Sequence, residues 1–89
     1  MAYLGGSAFA MARDVGERYI LLNSSLLRRL SAEELKQLRF EIERLLTGIR
    51  SEQPPIDDAI AIQNRNRKIS RLKSAVTMIN NQLLSFRGH

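Results

Sequence analysis

Leu35, Leu38, Ile42, Leu45 and Ile49 follow one another at intervals of 3, 4, 3 and 4 residues. Nothing else constrains this chain as tightly. The rhythm puts all five on one stripe of an α-helix and on no single face of a strand. The start of the helix is marked as well. Ser31 and Glu34 form the S-x-x-E capping box, in which each side chain satisfies a backbone N–H that the first turn leaves unpaired. Leu30 and Leu35 stand where a hydrophobic staple forms. Gly48 and then Pro54-Pro55 mark the end, because Gly favours the left-handed cap and Pro cannot continue the ladder. A middle helix is predicted over 31–50, followed by a loop over 51–56.

A second stripe follows the prolines: Ile62, then Ile69, Leu72, Val76, Ile79, Leu83 and Phe86. It predicts a long C-terminal helix over 57–86, with Asp57 or Asp58 as its cap. Arg65 breaks the stripe. Either the stripe proper starts at Ile69 and Arg65 reaches solvent, or Arg65 sets register or meets a carboxylate of Asp57, Asp58 or Glu52. Ahead of the middle helix, Ala8, Ala12, Val15, Tyr19, Leu22 and Leu26 also fall at helical spacing. They predict an N-terminal helix over 7–29, with Ser7 as cap. Gly16 inside it costs about 1 kcal/mol against Ala. Asn23-Ser24-Ser25 either interrupts this helix or is read through. A strand over Arg18–Asn23 would have no second strand to pair with, so helix is preferred.

The expectation is one all-α domain over 1–89: an antiparallel helical hairpin plus an N-terminal helix. The middle stripe spans ~21 Å of helix and the third ~36 Å. A hairpin through 51–55 sets Leu35 opposite Leu72 to Val76 and leaves Ile79 to Phe86 without a partner. The N-terminal segment could cover that end, giving a three-helix bundle, or a second copy could, giving a dimer of hairpins. The dimer is expected, because an isolated hairpin of this size has a thin core. Its interface would use Leu72, Val76, Ile79, Leu83 and Phe86, with Leu22 and Leu26 as cover.

Composition enters chiefly by exclusion. There is no Cys, and the single His is His89, so neither a triad nor a zinc site can be assembled from the usual parts. Asp57 and Asp58 are adjacent, and adjacent side chains on a helix diverge by about 100°. Helix capping accounts for them and for Glu33 and Glu34, while Glu41 and Glu43 diverge on the helix surface. No Gly-rich phosphate loop is present. The chain is expected to be non-enzymatic, without cofactor or metal. Its longest charge-free runs, Met1–Ala12 and Ser74–Phe86, are shorter than the ~18–20 residues a membrane span needs. No Lys or Arg precedes Arg13, so no secretory signal is expected and the default address is cytoplasmic.

The charge is uneven. The formal net charge is +5, and no acid occurs from Ala59 onward. Arg65, Arg67, Lys68, Arg71 and Lys73 crowd one stretch of the C-terminal helix. Arg67, Lys68 and Arg71 fall within about 100° of each other, opposite the apolar stripe. Such a face suits a phosphate backbone or another acidic surface. It lacks the aromatic residues that stack on single-stranded bases. Leu30-Ser31-Ala32-Glu33-Glu34-Leu35, then Thr47-Gly48, then Arg67-Lys68-Ile69-Ser70-Arg71-Leu72-Lys73 resembles the layout of the two-helix hairpin proteins of the large ribosomal subunit. The resemblance covers about half of the chain, with a longer inter-helix segment here and no counterpart for the first 29 residues. It implies contact with RNA. The sequence therefore leads to a small helical interaction or regulatory protein that self-associates and binds another protein. The alternative is an RNA- or ribosome-associated protein using the basic face.

Overall fold

The computed structural model describes residues 6–52 and 56–87, and among them every regular element is helical. Four helices follow in order: α1 Ala8–Gly16, α2 Ser24–Arg28, α3 Ala32–Ser51 and α4 Ala59–Arg87. Gly5, Pro54, Pro55, Gly88 and His89 lie outside the described residues. Three of the caps are those predicted. The Ser7 hydroxyl accepts the Ala10 N–H at 3.1 Å. Ser31 Oγ accepts the Glu34 N–H at 3.1 Å while Glu34 Oε1 accepts the Ser31 N–H at 2.9 Å, completing the capping box. Asp58, rather than Asp57, caps α4, accepting the Ala61 N–H at 3.0 Å.

The single N-terminal helix expected over 7–29 is instead two helices with an extended connector. α1 ends in a Schellman motif, with the Tyr19 N–H reaching the Asp14 carbonyl and the Arg18 N–H the Val15 carbonyl. The motif needs a left-handed residue where Arg18 sits, and Arg18 has φ 71°. A non-glycine residue there costs about 1 kcal/mol. Asn23 then opens α2, its side chain accepting the Leu26 N–H at 2.9 Å. The turn displaces the expected stripe. Tyr19 points to solvent, and Leu27 is buried while Leu26 is only half-buried. α3 also differs at its end. It passes straight through Gly48, which is exposed, and stops at Ser51 with an extended Glu52 as cap.

One core holds the elements together. It is built from Met11, Ala12 and Val15 of α1, Leu27 of α2, and Leu35, Leu38, Ile42 and Leu46 of α3. Leu72, Ala75 and Ile79 of α4 complete it, together with Leu22 and Leu30 from the connections. α3 packs against both α1 and α4, and α1 and α2 also touch α4. Glu41, expected on the surface of α3, is buried, with Arg44 reaching it at 3.4 Å.

The hairpin register differs from the tight turn expected. Arg39 donates to Asn80 at 2.7 Å, and Arg65 donates to the Ile49 carbonyl at 3.2 Å. α3 therefore reaches nearly to the last turn of α4. The turns of α4 without an α3 neighbour are its first ones, which leave Ile60 exposed, and not the stretch from Ile79 to Phe86. Leu72 and Ile79 are covered by their own chain.

Candidate functional site

The residues predicted for self-association divide into two groups. Leu22, Leu72 and Ile79 are buried inside the bundle, and a second copy could reach them only by opening it. That part of the expected interface is corrected by the fold: α1, α2 and α3 supply the cover that a dimer was expected to give. Val76, Leu83 and Leu26 are half-buried. Phe86 is 45% exposed, and its neighbour Leu84, which no stripe singled out, is 58% exposed.

Leu83, Leu84 and Phe86 line an open groove of about 350 Å³ where the last turns of α4 meet the first turns of α3. Its other wall is Ala32, Lys36 and Arg39 of α3, with Asn80 at one side. The groove is walled mainly by apolar side chains, and among the described residues the charged groups lining it are two cations. The carboxylates near those cations are distant: Lys36 lies 3.7 Å from Glu33 and Arg39 lies 3.8 Å from Glu43, while Arg39 also donates to Asn80 at the groove's side. Exposed pairs of that length contribute little and exchange readily. Along the outer face of α3, one turn beyond Lys36, Phe40 is exposed beneath the Arg44 guanidinium, 5.8 Å from its ring centre.

The basic face of α4 is used differently from what its charge suggested. Arg71 turns inward onto the end of α1, donating from Nη2 at 2.6 Å and from Nε at 3.2 Å to the Gly16 carbonyl. Lys68 donates to Glu17 at 2.5 Å. Arg65 neither reaches freely into solvent nor meets a carboxylate, two of the alternatives the sequence left open: it donates to the Ile49 carbonyl near the end of α3, and its Nε is buried without a partner among the described residues. Each of these cations sits at the negative end of a neighbouring helix, where a positive charge is favourable. Gly16 permits the close approach. A Cβ there would stand 3.3 Å from Lys68 Cε and 3.5 Å from Leu72 Cδ2. Lys68 holds the Glu17 carboxyl below its ordinary value, through the hydrogen bond first and its charge second.

Of the five cations singled out in the sequence, Arg67 and Lys73 keep side chains without a partner among the described residues. They do not act together, because six residues of helix separate their directions by about 120°. A continuous cationic track along α4 is therefore not what the fold presents. Arg67 instead faces Arg18, which lies outside the basic stretch of α4, across a depression that also includes Ser70 and Arg71. Nothing in the local sequence marks Arg18 for that place. It gets there through the left-handed turn that ends α1.

Among the described residues no group of three or more His, Asp or Glu side chains is placed to share a metal ion. No helix among them is long and apolar enough to cross a membrane. Comparisons with protein-family models, with curated proteins and with solved structures find no match, so the chain's own geometry carries the functional reading.

Proposed function

We propose that this chain is a small non-enzymatic interaction protein. It accepts an amphipathic helix of a partner protein, apolar on one face and acidic at its edge, in the groove between α3 and the last turns of α4. The observation that carries the reading is the company Leu84 and Phe86 keep. They are half-exposed, they sit beside an open groove, and the charged groups in its wall are Lys36 and Arg39. A helix laid in such a groove is held by a few apolar anchors at helical spacing. Burying the exposed halves of Leu84 and Phe86 would contribute about 1 kcal/mol each. The cations select for acidic flanks and speed encounter. A second copy is the poorer occupant, since its own net charge of +5 opposes pairing two basic grooves.

The test uses two synthetic amphipathic peptides that share a Leu/Phe face and differ only in having Glu or Lys at the flanks. The Glu-flanked peptide is expected to move the amide resonances of Ala32, Lys36, Leu83 and Leu84 and to bind about tenfold more tightly than the Lys-flanked one. Lys36→Glu with Arg39→Glu should reverse that order. Equal binding of both peptides, or sedimentation showing that the groove is filled by a second copy, overturns the reading.

A further inference from the structure

The depression between Arg18 and Arg67 is a second and separate place. Arg67, Ser70 and Arg71 lie at i, i+3 and i+4 on α4, hence on one face, and Arg18 stands across from them on the turn after α1. Its volume is about 340 Å³. Three guanidinium groups meet there, and among the described residues no carboxylate lines the depression itself. The adjoining cleft shares Arg18, Arg67 and Arg71 with it and also contains Glu17, whose carboxylate is held by Lys68 and feels the charge of Arg71. Arg71 is pre-set by its two hydrogen bonds to the Gly16 carbonyl, which leave its Nη1 hydrogens without a partner among the described residues. Arg18, Arg67 and Ser70 likewise donate to no described side chain. Guanidinium groups recognise a tetrahedral oxyanion through paired N–H donors, and a serine hydroxyl adds another.

Ser70 and Arg71 also belong to an adjoining hollow of about 200 Å³. Its other walls are mostly apolar, formed by Val15, Ile20, Leu21, Leu22, Ala75 and Met78, with the hydroxyl of Ser74 among them. Leu21 is 87% exposed at the mouth. The cationic depression and the apolar hollow thus share one edge, with Arg71 at the join.

We infer that this joint site binds a phosphoryl group carrying an apolar substituent, the phosphate against Arg18, Arg67, Ser70 and Arg71 and the apolar part in the hollow. The source of the phosphate is separable by experiment. Amide chemical shifts of the intact chain are followed on adding inorganic phosphate, glycerol phosphate, dihexanoyl phosphatidic acid below its micelle concentration, or a short RNA, all at one ionic strength.

Saturable shifts at Ser70 and Arg71 are expected with each small phosphate. The phosphatidic acid should bind about tenfold more tightly than glycerol phosphate and should also move Ala75 and Met78. Arg67→Gln should weaken all the small phosphates about tenfold. Leu21→Ser should weaken only the phosphatidic acid. Arg18→Gly separates binding from folding: glycine suits φ 71°, so the variant should melt at a higher temperature and yet bind phosphate less tightly. Three results overturn the proposal. They are no saturable response to any small phosphate, equal binding of phosphatidic acid and glycerol phosphate, and binding of the RNA alone with affinity that grows with its length and falls steeply with salt.

Discussion

α3 and α4 are the two long helices of the hairpin, and they are buried in opposite styles. α3 has 20 residues and carries buried side chains from Leu35 through Leu46. α4 has 29 residues and confines its buried ones to Leu72, Ala75 and Ile79. The cause is company. α3 lies between α1 and α4, whereas α4 has α1 against it only near its middle, at Lys68, Arg71 and Leu72, and α3 alone beside its last turns. An apolar stripe therefore tells which face of a helix seeks cover. How much of it finds cover depends on the neighbours' lengths and register, and the uncovered remainder is where partners can dock.

The sharpest way to break this comparison is truncation. Ile42→Ala on α3 and Leu72→Ala on α4 should each cost about 2–5 kcal/mol, as buried large-to-small changes do. Leu84→Ala and Ile60→Ala, at the open ends of α4, should stay within about 0.5 kcal/mol. Urea unfolding measures all four. A large loss at Leu84 would mean that α4 is covered to its end and would remove the groove.

Next in size is Arg71. Its alanine variant strips a charge-assisted bond from the end of α1, and a loss of about 1.5–3 kcal/mol is expected. Arg71→Lys should recover only part, because an ammonium cannot supply both donors to the Gly16 carbonyl. If Arg71→Ala unfolds like the wild type, the basic face of α4 is not what anchors α1.

Gly48→Ala works in the opposite direction. Gly48 lies inside α3 with nothing within 4 Å of the Cβ position. The change should add about 0.5–1 kcal/mol. The effect can be read from the midpoint of urea unfolding.

The smallest effect concerns pH. Lys68 lowers the Glu17 pKa in the folded state from its ordinary 4.5, so the pair's contribution is present above that value. It is lost as pH falls through the folded-state pKa. Glu17→Gln should therefore flatten the acid side of the stability profile slightly, and added salt should narrow the difference between the two proteins.

Local chemistry was legible in the residues. The Ser31–Glu34 box, the Asp58 cap and the alternation from Leu35 to Ile49 act over a few residues, where sequence spacing and spatial spacing coincide. The break after Gly16 was harder, because the left-handed turn falls on an arginine and not on the glycine two residues earlier. Register was not legible at all. It is fixed by contacts such as Arg39 to Asn80 and Arg65 to Ile49, which no periodicity encodes. The roles of Lys68 and Arg71 were hidden for the same reason. A basic residue facing away from a stripe looks solvated until another helix places its carbonyl end within reach. Of the candidate groove, Leu83 and Phe86 were visible as stripe residues. Lys36, Arg39 and Leu84 were not, since they matter only once the two helix ends are set side by side.

The Arg71 anchor also bears on how the chain is made. Its bond to Gly16 joins residues 55 apart, and the Lys68 pair with Glu17 joins residues 51 apart. During synthesis α1, α2 and α3 leave the ribosome well before the helix that roofs them. α1 and α3 can pack on each other as they emerge, but the face they turn to Leu72, Ala75 and Ile79 stays wet until that stretch follows. Folding must then wait on the last-made part of the bundle, and a ribosome stalled before α4 would hold a nascent chain with its apolar faces open to chaperones.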